Sequence, residues 1–165
     1  KTALGLLLLG FYHRRIASFA DAGAMVRRTA PVAVGTIVML LGLSLALGYV
    51  RFDPKWPQAT WLWLLANLCF TCLAEEAFFR GFVQRELARA WRNAAGGAWL
   101  ALLTAAVLFG LAHFGGGTTY IALATVAGIG YGLAYERTQR IEASILVHFA
   151  LNTVHFLGFT YPALA

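Results

Sequence analysis

The sequence predicts an all-α fold, a polytopic transmembrane bundle of about five to six membrane helices forming one integral membrane domain over residues 1–165. Three observations predict it. Hydrophobic residues make up 60% of the chain and charged residues only 12%, with a mean hydropathy of +0.69, where a soluble domain carries roughly 25% charge. Apolar runs of spanning length recur at 31–50, 59–82, 98–114, 119–135 and 143–159, close to the roughly 17–25 residues that cross a bilayer as a helix. Basic residues fall in the segments between those runs, which is how membrane proteins arrange them.

The elements follow in order. The chain opens at Lys1 with no Met, and its first apolar run, 4–12, is too short to span. It reads as part of a truncated or processed segment, without an evident cleavable signal peptide. The run 31–50 is closed by Arg51-Phe-Asp-Pro-Lys-Trp-Pro57, whose two prolines break a helix. The run 59–82 passes without interruption into 83–92 (VQRELARAWR), a helical pattern that extends the second helix beyond the membrane surface. Gly96-Gly97 ends that connection, and Gly115 to Gly117 mark a tight turn after the third run. In the fourth, Gly128 and Gly132 form a G-x-x-x-G that lets helix backbones approach closely. The short connections make neighbouring helices antiparallel.

The formal charge of +6 does not point to nucleic acid, because the cations sit in separate connecting segments and not on one face. Ten arginines occupy segments 13–30, 80–95 and 136–142, while the opposite side holds Arg51, Lys55 and Lys1. The positive-inside rule makes the arginine-rich loops cytoplasmic and turns the C-terminus outward. The expected location is an integral position in a bacterial inner (plasma) membrane, with the lipid bilayer as first partner. Cys69 and Cys72 form a C-x-x-C, but inside an apolar helix, where small buried residues are a better account than redox or metal chemistry.

Against this background Glu75 and Glu76 stand out. They continue the uncharged run WLWLLANLCFTCLA, and ionisable groups at membrane depth mark function by default because they cost several kcal/mol there. Three further polar residues, His113, His148 and Asn152, lie in apolar runs. Glu76 and His113 each lie about 28 Å along a helix from the turn near 94–95, and His148 about 13 Å from the turn near 139. With a protruding stem of about 10–15 Å, three helices deliver polar groups to a similar depth. His148 and Asn152 share a helix face at i and i+4. Glu76 and Arg80 have the same spacing with the acid first, the favourable order for an ion pair. Glu75 points about 100° away from Glu76 and is the freer of the two. Each group alone has a plain structural account, as an interhelical hydrogen-bond partner or a snorkelling anchor. His155, nearer the outer side, stays with that account.

The positions spell E-E-x-x-x-R (Glu75, Glu76, Arg80), F-x-x-x-H (Phe109, His113) and H-x-x-x-N (His148, Asn152), in order and each in an apolar helix. This set resembles the CPBP family of intramembrane proteases, also called the Abi or type II CAAX-protease family, over residues 60–160. The resemblance implies a membrane endopeptidase acting on a protein or peptide with a C-terminal processing signal. By motif position it implies Glu75 as the base activating water, supported by Glu76 and Arg80. His113 would hold the water or polarise the scissile carbonyl, and His148 and Asn152 would stabilise the oxyanion. Glu75, His113 and His148 could instead ligate Zn²⁺. Asn152 is a poor zinc ligand and a good oxyanion donor, which favours a reaction without a cofactor. The alternatives are a non-proteolytic scaffold or bacteriocin-immunity protein, and a proton-coupled transporter, although no internal repeat is present.

Overall fold

The computed structural model describes residues 17–163, and the run 4–12 with Lys1, Arg14 and Arg15 lies outside them. Five helices make up the described chain: α1 (Phe19–Ala46), α2 (Thr60–Ala90), α3 (Gly97–Leu111), α4 (Gly117–Thr138) and α5 (Ile141–Gly158). Four of them are long and apolar enough to cross a membrane, and α3 is a shorter apolar helix. The protein is a polytopic helical bundle.

Helix α1 starts earlier than the sequence pattern suggests. Ser18 caps it, its hydroxyl accepting from Asp21 N–H at 3.1 Å, and the Asp21 carboxylate accepts from Ala17 N–H at 3.1 Å. A polar cap and an acid in the first turn satisfy and complement the free amides there. With that start in place, the helix runs through Pro31, carrying Arg27 and Arg28 with it. Proline costs a helix one hydrogen bond but does not stop a membrane helix whose neighbours hold it. Its 28 residues measure about 42 Å, so its first turns extend beyond a hydrocarbon layer about 30 Å thick. The helix stops at Ala46, short of residue 50. Gly48, at φ +64, sends its N–H to Leu45 O, and Tyr49 N–H returns to Ser44 O. Only glycine adopts that left-handed turn without cost.

Helix α2 continues to Ala90, as its pattern predicts. Two stretches are wound more loosely than an α-helix: Asn67–Cys72 and Phe79–Gln84 are π turns that bracket the α-helical Leu73–Phe78. Helix α3 ends at Leu111, three residues earlier than expected, and a 3₁₀ turn at Phe114–Gly116 leads into α4. Gly117, at φ +83, lets the chain reverse there.

The helices alternate in direction. Arg140 at the start of α5 pairs with Asp21 at the start of α1, at 2.5 Å. At the opposite end Tyr49, after α1, stacks on Tyr120 in the first turn of α4. A strap at 51–55 pairs with the end of α5 through Asp53 N–H to Gly158 O and Lys55 N–H to Leu157 O, both 2.8 Å. One end of the bundle therefore carries Arg27, Arg28, Arg85, Arg89, Arg92, Arg137 and Arg140. Among the described residues the other carries Arg51 and Lys55.

Large apolar side chains such as Val38, Leu62, Phe70, Leu103 and Val107 point outward, while Thr29, Asn67, Glu76, Arg80, Gln84, Ser144 and His148 are buried. That inside-out distribution is the one lipid favours, since polar groups at membrane depth must find partners within the protein. The G-x-x-x-G of α4 packs closely, as predicted, and also makes room for polar side chains. A Cβ on Gly128 would sit 3.1 Å from both Ala106 Cα and Arg80 Nη2, and one on Gly132 would meet Gln84 Oε1 at 2.9 Å.

Candidate active site

Glu75 and Glu76 occupy the α-helical turn between the two π turns of α2, and their side chains part by about one residue's rotation, roughly 100°. Glu76 points into the protein and is fully buried. Its Oε1 accepts from Arg80 Nη1 at 2.9 Å and from His148 Nδ1 at 2.8 Å. Arg80 is equally buried and donates through Nη2 to Gly128 O at 2.8 Å. Its guanidinium carbon lies 4.7 Å from the Phe109 ring centroid and 5.2 Å from that of Tyr131, a spacing at which ring faces attract a cation. The predicted i, i+4 pair therefore forms, but in the core and not as a surface anchor.

Glu75 faces a cavity of about 180 Å³ instead. His113, His148 and Asn152 line the same cavity, so four of the six predicted residues share one space. Glu76 and Arg80 stand behind it. Helix α1 packs on α4 and α5, and the cavity lies between it and α2. Glu75 Oε2 is enclosed and has no protein hydrogen-bond partner among the described residues, so it keeps acceptor capacity for a water or a substrate.

The histidines are fixed by one nitrogen each. His113 is not inside α3, as the spacing argument assumes, but in the turn that follows it. A glycine at 110, where a Cβ would fall 1.9 Å from Thr125 Oγ1, brings the end of α3 against α4. His113 Nδ1 lies 2.7 Å from Phe109 O. A carbonyl only accepts, so Nδ1 carries the proton and Nε2 is the open nitrogen. His148 has its Nδ1 on Glu76 and its ring stacked on Tyr131 at 4.4 Å, 14° from parallel. This hydrogen bond to a carboxylate sets ring orientation.

Asn152 is held by a residue the sequence reading passed over. Asn67, in the first π turn, accepts from Asn152 Nδ2 at 3.4 Å and from Cys72 Sγ at 3.1 Å. It also lines the cavity, and its own amide N–H group has no protein partner among the described residues. Cys69 and Cys72 are both free thiols. Tyr120, Tyr131 and His155 are further wall residues. His155, set apart from the site in the sequence, is at i+7 from His148 and i+3 from Asn152, the spacing that could have assigned it to their face. Its Nε2 bonds to Thr160 O at 3.1 Å.

No group of three His, Cys, Asp or Glu side chains among the described residues is arranged to hold a metal ion. Glu75, His113 and His148 share the cavity without forming a ligand set.

Residues 56–154 match the family model described as Type II CAAX prenyl endopeptidase Rce1-like. No curated protein and no solved structure matches the chain. The matched segment covers more than half of the chain, from just after the 51–55 strap into α5, and contains all three polar motifs. With its apolar helices and buried Glu-Arg-His cluster, the chain belongs to the Rce1-like type II CAAX prenyl endopeptidase family, and is an integral membrane protein of a family of peptide-bond hydrolases.

Proposed function

We propose that the chain is an intramembrane endopeptidase that cuts a protein or peptide near its C-terminal tail, with Glu75 as the base. One observation carries this reading: of two adjacent carboxylates, Glu76 is buried away from the cavity with its Oε1 held by Arg80 and His148, while Glu75 lines a cavity walled by His113, His148 and Asn152.

In this mechanism water binds between Glu75 and the open Nε2 of His113. Glu75 takes a proton from the water as its oxygen attacks the scissile carbonyl. The negative charge that develops on the carbonyl oxygen is met by Asn152 Nδ2 and by His148 when its Nε2 carries a proton. Glu76 then stabilises the imidazolium, as a buried carboxylate does behind other catalytic histidines. Glu75 returns its proton to the leaving amine, and the carbon–nitrogen bond breaks to give a new carboxyl terminus and a new amino terminus. Arg80 holds the Glu76 carboxylate in place through its 2.9 Å hydrogen bond.

Glu75→Gln is nearly isosteric and removes the base. It is expected to lower cleavage about 10²–10⁴-fold, the usual contribution of general base catalysis. Mass spectrometry of protein C-termini, in cells carrying the wild-type chain or Glu75→Gln, reads the loss and names the substrate at the vanished junction. Identical profiles, with both chains rescuing a loss-of-function phenotype equally, would replace the protease with a scaffold. Chelation by EDTA or phenanthroline is expected to leave the rate unchanged, and a loss restored by Zn²⁺ would reject the metal-free mechanism.

Asn67 tests the oxyanion side. Asn67→Asp keeps the acceptor for Asn152 and Cys72, whereas Asn67→Ala leaves Asn152 unanchored. The expected order of kcat is wild type, then Asp, then Ala, with KM little altered. The alanine loss is expected at about tenfold, short of the about 10²–10³ for removing an oxyanion donor outright, because Asn152 itself remains.

A further inference from the structure

Every residue in the mechanism above comes from α2, from α5, or from α3 and the turn after it. Helix α4 walls the same cavity, and Tyr120, Leu123, Ala124, Ala127 and Tyr131 line it along one helix face. The three residues between the tyrosines carry no polar side-chain atom. Tyr131 stands at the inner end of that face, one turn past Gly128, whose carbonyl accepts from the buried Arg80.

The Tyr131 ring is held on three sides. The His148 imidazole stacks on it at 4.4 Å, the Phe109 ring meets it edge-on at 5.8 Å, and the Arg80 guanidinium carbon lies 5.2 Å from its centroid. A phenylalanine would make all three contacts. The hydroxyl takes no part in them and makes no hydrogen bond with any described residue, although Tyr131 is only 1% exposed. At membrane depth neither lipid nor bulk water serves such a group, so its partner has to enter the cavity.

The course of α4 indicates where the hydroxyl lies. Arg80 meets Gly128 O and Gln84 meets Gly132 O, so α4 runs beside α2 in the same direction. Helical side chains lean toward the N-terminus of their own helix. That lean carries the Tyr131 hydroxyl back along α2 toward Glu76 and Cys72, and it lies within electrostatic reach of Glu76, Cys72, Arg80 and Glu75. Asn152 is on the same side, its Nδ2 being 3.9 Å from Cys72 Sγ.

We propose that Tyr131 is a further catalytic residue of this site, its hydroxyl donating a hydrogen bond to the scissile carbonyl oxygen as a third donor beside Asn152 Nδ2 and His148. The assignment rests on the protease reading of the cavity. A donor fixed by ring packing needs no reorganisation when charge appears on that oxygen, which is what makes oxyanion contacts effective. The proton stays on the phenol throughout, so the proton transfers through Glu75 are unchanged.

The test compares the full wild-type chain with Tyr131→Phe and Tyr131→Leu, purified in detergent, on the peptide that spans the junction lost in Glu75→Gln. Tyr131→Phe is expected to lower kcat by about 10²-fold, the lower end of the cost of removing one oxyanion donor, with KM little altered. Its Tm should hold or rise, because the hydroxyl has no protein partner to lose. Tyr131→Leu also uncovers the His148 ring and should lower both kcat and Tm. Wild-type kcat in Tyr131→Phe overturns the proposal, and an inactive Tyr131→Leu beside it would reduce the residue to a support for His148. A lowered Tm in Tyr131→Phe overturns it as well, since the hydroxyl would then serve the fold. A raised KM at unchanged kcat would place the hydrogen bond in substrate binding and remove the oxyanion contact. If Glu75→Gln loses no junction, the protease reading falls and takes this proposal with it. If a junction is lost and Tyr131→Phe cuts it at the full rate, only the part given to Tyr131 falls.

Discussion

Arg80→Leu is expected to be the most damaging single substitution in the bundle, lowering stability by about 3–5 kcal/mol, the usual cost of removing one partner from a buried ion pair. The guanidinium is fully buried, pairs with Glu76 at 2.9 Å, donates to Gly128 O and lies against the rings of Phe109 and Tyr131. Without it Glu76 keeps only His148, and its carboxylate loses its permanent cation. The His148 ring would then lose its fixed setting, so activity should fall together with stability. The double substitution Arg80→Leu with Glu76→Gln removes both charges and is expected to regain part of the lost thermal stability but none of the lost activity. A Tm series in detergent, measured beside C-terminal cleavage, separates the two effects. If the double variant is no more stable than Arg80→Leu, the loss came from ring packing and the Gly128 contact, not from an orphaned carboxylate.

Gly130→Ala is expected to part α4 from α1. The added Cβ would meet Thr36 Oγ1 at 2.3 Å and its Cγ2 at 2.5 Å, contacts that a packed core relieves only by moving helices. Overpacking of this kind costs about 1–3 kcal/mol. Thr36→Ala in the same chain removes both atoms and leaves only the threonine Cβ position at 2.9 Å, so the pair should recover most of the loss. A double-mutant cycle on Tm reads this coupling. Additive losses would show that α1 is not seated on Gly130. Since α1 forms a wall of the cavity, the single variant is also expected to raise KM.

Much of this architecture is legible in the sequence because lipid simplifies the code. Uninterrupted apolar runs locate α2, α4 and α5 to within a few residues, and the spacing of Glu76 and Arg80 foretells their pairing. The start of α1 is not legible from its proline, since Pro31 resembles a boundary and the Ser18–Asp21 cap that overrides it is a short polar signal. The end of α3 is misjudged because three glycines allow the turn to begin early.

For the candidate site, the motif spacings bring together Glu75, His113, His148 and Asn152, but leave out Asn67 and Tyr131. Tyr131 lies among small apolar residues and carries no charge to notice. Asn67 is hidden by geometry: residues five apart point about 140° away from each other on an α-helix. Only the π turn brings Asn67 Oδ1 within 3.1 Å of Cys72 Sγ, and no local sequence rule announces such a turn.

Those two loosened turns govern the phase of α2. Cys72, Glu76, Arg80 and Gln84 are all buried and recur every four residues. On a regular α-helix a stripe of that period drifts about 40° per step, which over three steps would swing one end of it toward lipid. The wider turn at Phe79–Gln84 falls within that stripe and takes up part of the drift, so one continuous helix keeps a thiol, a carboxylate, a guanidinium and an amide facing inward together. The chain thereby acquires a polar interior track from one helix, without the broken helices or extra segments that membrane proteins often use to bring charge together. The pitch of the backbone, and not only the identity of its side chains, is thus part of what defines this site.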